Sequence, residues 1–153
     1  MIFSFEQTIL IYPNSDAGGR DMISIISKYE SLDFIHTYRN INFEDYLNLL
    51  KYADLMIGNS SSGIMEAPSY KLPVINLGVR QNGRQQADNI LNVEHDKNLI
   101  KDAIEKSLYD NEFINQVNNC INPYGDGKTG KRIADILINL SLAKQHQNDF
   151  LHL

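Results

Sequence analysis

The sequence has almost no cysteine: Cys120 is the only one in 153 residues. A single thiol forms no internal disulfide and no cysteine-based zinc site, which points to a reducing, cytoplasmic setting. The histidines, His36, His95, His146 and His152, show no metal-ligand spacing, and no metal or cofactor is expected. Long apolar runs are missing as well. Nothing approaches the roughly 20 residues of a membrane span. Met1 to Gln7 hold no basic stretch followed by a long apolar one, so no signal peptide is expected. Positive charge is not in excess either: 14 Lys and Arg stand against 19 Asp and Glu, a net charge of −5. That speaks against a broad nucleic-acid surface, although a local basic cluster can still hold a phosphate.

What is present fits one soluble globular domain over residues 1–153. The chain is 42% hydrophobic and 22% charged. Apolar, β-rich runs at Thr8–Tyr12, Leu32–Thr37, Asp54–Gly58, Pro73–Leu77 and Ile90–Val93 predict five short strands. Helical spacing of apolar residues predicts helices over Arg20–Tyr29, Phe43–Ala53, Ser61–Tyr70, Asp96–Tyr109, Phe113–Asn119 and Thr129–Lys144. Asp96 and Thr129 are the expected caps of two of them. Pro68 inside the third predicts a short or bent helix. Residues 145–153 are expected to fray. Strands alternating with helices predict an α/β fold, a Rossmann-like parallel sheet flanked by helices, with strands buried on both faces. Ligands of such sheets bind beyond the strand C-termini.

The loops at those ends are rich in small and polar residues. The first is Asn59-Ser60-Ser61-Ser62-Gly63, between a strand and a helix. A helix start offers free N–H groups and partial positive charge to an anion. The serine hydroxyls add donors, and Gly63 lets a phosphate come close to the backbone. Glu66 lies about one turn further on, where its carboxylate can accept from two neighbouring ribose hydroxyls. Plain capping by Ser61 or Ser62 explains the serines equally well, although Ser62 to Glu66 is one residue too long for a capping box. The second loop is Gly78–Asn89, with Arg80, Gly83 and Arg84. Arginine forks suit phosphate oxygens, but loop arginines are ordinarily solvated. The third is Asn14–Arg20, a glycine-rich turn containing Asp16 and Arg20, which lacks both a GxGxxG and a P-loop lysine. A fourth segment, Asn122–Arg132, combines a glycine turn with a small basic cluster, Lys128, Lys131 and Arg132, that reads as a solvated face.

In this order the loops resemble the C-terminal domain of the UDP-N-acetylglucosamine 2-epimerase family. The matching segments are YPNSDAGGR (Tyr12–Arg20), ADLMIGNSSSGIMEAPSYKLPVINLGVRQNGRQQADNI (Ala53–Ile90) and NPYGDGKTGKRI (Asn122–Ile133). The sequence is closer to the hydrolysing branch, because NSSSGIMEAP stands where the non-hydrolysing branch has a DSGGxQEE-type turn. The resemblance implies the C-terminal half of a GT-B architecture, with the active site in a cleft between two Rossmann-like domains. Family members are more than twice this length, so the chain is expected to be the second half, with residues 1–7 as an inter-domain linker. Most catalytic carboxylates would lie on the first domain.

The resemblance assigns phosphate contacts to Ser60, Ser61, Ser62 and Gly63, and the ribose to Glu66. It places Arg80, Gly83 and Arg84 in a GxRQxGR loop bordering the diphosphate; Val79 departs from the acidic or polar residue common at its position. His36 to Asn40, with Arg39 among them, would lie after the second strand near the uracil, and Asp16 and Arg20 would face the cleft. The implied reaction eliminates UDP from a UDP-N-acetyl sugar to give a glycal, then adds water to release the 2-epimerised sugar for sialic-acid-like or surface polysaccharide synthesis. The expected partners are this UDP-sugar, the first domain and a second copy of the chain through Ile133, Ile136, Leu137 and Leu140; no nucleic acid or membrane is expected. A GT-B glycosyltransferase donor domain and a non-catalytic UDP-binding module are the alternatives, and Glu66 would hold the ribose in the first of these too.

Overall fold

A computed structural model describes residues 7–13 and 19–140, and for Arg20 the backbone only. The chain divides into two compact units, Met1–Ala53 and Asp54–Leu153. The expected linker at 1–7 and the tail at 145–153 fall, apart from Gln7, outside the described residues.

In the first unit, β1 (Thr8–Ile11) is followed by α1 (Gly19–Ile26), β2 (Ile35–Tyr38) and α2 (Phe43–Tyr52). β1 and β2 run parallel, with Thr8 opposite Ile35 and Ile11 opposite Tyr38. The Asn42 side chain starts α2 by accepting from the Asp45 N–H at 2.9 Å, and Glu44 and Asp45 place negative charge in its first turn. Leu50 is its buried anchor.

The second unit holds β3 (Met56–Gly58), α3 (Ser62–Met65), a 3-10 turn (Ala67–Tyr70), β4 (Val74–Leu77), β5 (Ile90–Val93), α4 (Lys97–Tyr109), α5 (Asn111–Asn119) and α6 (Thr129–Asn139). Its sheet is parallel in the order β3-β4-β5. The central strand β4 is buried at Val74, Ile75 and Asn76, and Ile64, Ala67, Leu72, Ala103, Phe113, Val117 and Cys120 pack the core around it. Helices start where acidic caps stand. The Asp96 carboxylate accepts from the N–H groups of Asn98 and Leu99 at 2.9 and 3.0 Å, as expected, and Asp110 does the same for α5 through Phe113 at 2.9 Å.

Four expectations need correction. The strands form a two-stranded and a three-stranded parallel sheet rather than one ladder. Burial on both faces holds for β4, whereas Ile9 and Ile11 on β1 and Ile57 on β3 are exposed; strand pairing protects edges, and only a packed layer buries a face. Thr129 is not the cap of α6: Lys128 takes that position without a side-chain bond, and the Asp126 carboxylate receives the Lys128 N–H at 3.1 Å instead. Finally, α6 ends at Asn139, with Leu140 extended, rather than running to Lys144. Ile133, Ile136, Leu137 and Leu140 are exposed and none of its residues is buried.

Candidate functional site

The serine loop follows β3 and leads into a helix of four residues only. Proline explains the brevity. Pro68 has no N–H to donate to Ile64, and it disfavours α conformation at Ala67. The chain therefore tightens into the 3-10 turn, which Lys71 closes in a left-handed conformation (φ 55°). One helical turn carries little macrodipole, so an anion here would be held by individual donors. Neither Ser61 nor Ser62 caps the helix as expected. Ser61 occupies the N-cap without a side-chain bond, and the Ser60 hydroxyl accepts from the Ser62 N–H at 3.3 Å. The N–H groups of Ser60 and Ser61 make no hydrogen bond among the described residues.

Gly63 has a packing reason for its identity. A Cβ there would lie 2.9 Å from Cγ1 of Val74, so glycine lets α3 press onto the central strand. Glu66 joins α3 to the 3-10 turn. It is half-buried, and its carboxylate has no hydrogen-bond or ion-pair partner among the described residues.

The second loop reaches back to the first. Gln81 is only 2% exposed and donates from Nε2 to the Asn59 carbonyl at 2.8 Å. Nη1 of the exposed Arg80 lies 3.5 Å from the same oxygen. Arg84 reaches the sulfur of Met65, the residue before Glu66, at 3.6 Å. Gly83 (φ 80°) and Gly78 (φ 69°) turn the loop in conformations that L side chains rarely adopt. At Gly78 a Cβ would also fall 2.6 Å from the ring of His95.

Neutral amides fix the remainder of this loop. Asn76 donates to Asn92 at 2.8 Å, and Asn92 exchanges hydrogen bonds with Gln86 at 2.7 and 3.2 Å. Gln116 donates to the Asp88 carbonyl and buried Asn89 to that of Leu72, both at 2.7 Å. The fourth segment closes on the same element: Asn122 donates to the Met65 carbonyl at 2.9 Å and to the Ser69 hydroxyl at 2.7 Å. Of its basic cluster, Arg132 forms a two-pronged pair with Asp126 at 2.8 and 3.0 Å. The Lys128 N–H and Arg132 hold the Asp126 carboxyl below its ordinary range.

Ser60, Ser61, Ser62, Gly63, Glu66, Arg80, Gly83 and Arg84 thus lie on one unit, on loops that touch one another. His36 and Arg39 belong to the other unit. His36 is not after β2 but within it, opposite Ile9, and its Nε2 is 2.7 Å from Oε1 of Gln7. Arg39 follows the strand and lines a shallow groove with Tyr12, Ile23, Ser27, Glu30 and Thr37. There the Tyr12 hydroxyl donates to Glu30, which raises the phenol pKa. Asp16 lies outside the described residues, and Arg20 contributes its backbone to α1. Among the described residues no group of three or more His, Cys, Asp or Glu could hold a metal, and no helix is long and apolar enough to cross a membrane.

The fold is the Rossmann-like α/β type of GT-B proteins. It matches the crystal structure of the UDP-GlcNAc 2-epimerase from Neisseria meningitidis bound to UDP-GlcNAc, with a TM-score of 0.65 at 20% identity, over 88% of this chain and 36% of that one. Residues 4–138 match the family described as UDP-N-acetylglucosamine 2-epimerase, and the chain belongs to that family. It is 35% identical over 142 residues to the UDP-N,N'-diacetylbacillosamine 2-epimerase (hydrolyzing) of Legionella pneumophila, covering 93% of this chain and 36% of the relative. It is 37% identical over 137 residues to the UDP-N-acetylglucosamine 2-epimerase of Neisseria meningitidis, covering 89% and 35%. The chain therefore spans about a third of the length of the curated relatives it matches.

Proposed function

We propose that this chain is the UDP-binding part of a hydrolysing 2-epimerase acting on a UDP-N-acetyl sugar. Residues 59–63 would receive the diphosphate, Arg80 and Arg84 would border it, and Glu66 would hold the ribose hydroxyls. The observation that carries the proposal is the meeting of the two loops, Gln81 and Arg80 at Asn59 and Arg84 at Met65, the residue before a half-buried Glu66 whose carboxylate has no protein partner among the described residues. A half-buried carboxylate with no protein donor is open to donors from a ligand, and two vicinal hydroxyls are suitable ones. The word "hydrolyzing" in the name of a relative 35% identical to the chain supports the branch. His36, Arg39, Asp16 and Arg20 enter as further contacts on the strength of the family resemblance alone.

In the proposed reaction a base removes the C2 proton of the sugar. The C1–O bond then breaks, UDP departs with the electron pair, and a C1=C2 glycal remains. Water adds across that double bond and releases the free 2-epimerised sugar, for sialic-acid-like or surface polysaccharide synthesis. Charge builds on the departing diphosphate. In this reading the N–H groups of Ser60 and Ser61, with the serine hydroxyls and arginines of the two loops, would stabilise that charge. The base belongs to residues outside this sequence, so the chain alone is expected to bind UDP without turning over sugar. A homodimer through Ile133, Ile136, Leu137 and Leu140 is part of the same reading. Sedimentation of the chain tests it: a dimer is expected, and a strict monomer removes this element.

Calorimetry tests the site. The Glu66→Ala chain should lose about tenfold or more in UDP affinity, the scale of one lost charge-assisted hydrogen bond, with pyrophosphate affinity unchanged. An equal loss for both ligands would contradict the ribose role.

A further inference from the structure

We propose that Gln81 is a positioning residue: by pinning the Asn59 carbonyl it sets the direction in which the serine loop presents its N–H groups. The inference rests on the UDP reading and deepens it. Gln81 is uncharged and stands between Arg80 and Arg84, better-known kinds of phosphate ligand, yet it is buried, at 2% exposed, where both arginines are exposed. Its Nε2 lies 2.8 Å from the Asn59 oxygen, a full hydrogen bond. A carbonyl oxygen only accepts, so the amide nitrogen and not Oε1 must face it.

The consequence follows from peptide geometry. The carbonyl of Asn59 and the N–H of Ser60 share one planar unit and point in opposite directions. Fixing the oxygen therefore fixes the Ser60 N–H as well, and that N–H makes no hydrogen bond among the described residues. Asn59 and Ser60 are both exposed, and no core packing holds this peptide plane. Arg80 approaches the same oxygen at 3.5 Å, at the outer limit of a hydrogen bond, so the shorter bond from Gln81 dominates. Oε1 of Gln81 is buried without a partner among the described residues. A protein retains such a group at a cost in stability. Here the amide is kept although a similar apolar side chain would fill the same space without that cost.

The test uses the full chain, with UDP as the probe, and measures affinity by calorimetry from pH 5 to pH 8. In Gln81→Met the pinning bond is gone and the volume is nearly conserved. UDP affinity should fall about tenfold at every pH, while the thermal midpoint stays within a few degrees. In Gln81→Glu a buried carboxylate would face the Asn59 oxygen at neutral pH, and affinity should fall further. On acidification the protonated acid supplies an O–H donor, and affinity relative to wild type at the same pH should recover. A purely structural side chain would not produce that pH-dependent rescue. Nuclear magnetic resonance gives a readout without ligand: the Ser60 amide signal should shift and broaden in Gln81→Met and stay sharp in wild type. Should the Glu variant not fold at neutral pH, the Met variant and the Ser60 signal still decide. Unchanged UDP affinity in both variants, or an unchanged Ser60 amide, overturns the role of Gln81. A wild-type chain that does not bind UDP, alone or with the rest of the enzyme supplied, overturns the UDP reading and this role with it.

Discussion

At the scale of single residues, polar side chains divide into those that face solvent and those that hold main chain in place. Arg80 and Arg84 are conspicuous in the sequence because they are charged. Gln81, Gln86, Asn89 and Asn122 are not, and amides in a loop read as solvated. Their partners are mostly backbone carbonyls, those of Asn59, Leu72 and Met65, and no spacing of side chains announces a carbonyl. The serines and Glu66 were legible as a candidate site. The packing of Gly63 against Val74 was not legible, since that contact crosses from α3 to β4. That contact makes a prediction. Gly63→Ala should destabilise the chain by about 1–3 kcal/mol through overpacking, and Val74→Ala in the same background should recover part of the loss. Chemical denaturation of the single and double variants checks this; additive losses would contradict it.

At the scale of elements, the sequence was most informative where a local rule decides the outcome. The strand Ile90–Val93 occurs with the bounds its apolar run predicts, and Asp96 caps α4 as expected. Asp96→Ala should cost about 1 kcal/mol, read as a lower denaturation midpoint with an unchanged slope. The sequence misled where a neighbour decides. Thr129 has the chemistry of a cap, but Asp126 is close enough to take the Lys128 N–H and to pair with Arg132. This carboxylate also offsets Lys131 and Arg132 at the positive end of α6.

Its pH dependence has a definite sign. The Asp126 carboxyl is lowered in the folded chain, so the unfolded chain takes up the proton more readily. The contribution of Asp126 is present above its ordinary value of 3.8 and is lost as pH falls through the lower folded value. The stability difference between wild type and Asp126→Asn should therefore be constant at neutral pH and shrink below about pH 4. Thermal melts of both chains from pH 2 to pH 7 read it, and a difference that persists at the acid end would contradict the assignment.

At the scale of the whole molecule, alternating strands and helices were enough to predict a parallel α/β fold. They did not predict two sheets, because periodicity reports the face a residue occupies and not which strand lies beside it. The exposed apolar side of α6 shows the same limit. Amphipathic spacing identifies Ile133, Ile136, Leu137 and Leu140 as one face, but it does not say what covers them. Family membership supplies the larger frame: the chain spans about a third of the length of the relatives it matches. In the proposed reading the serine loop, Glu66 and the arginine loop act on the leaving UDP.

The most direct measurement is calorimetric titration of the chain with UDP, for wild type and for Glu66→Ala, repeated after the remainder of the enzyme is supplied. Saturable binding by wild type, weakened about tenfold or more by Glu66→Ala, is the expected result. No binding in either setting, or equal affinity for the two chains, would contradict the assignment of this loop to UDP.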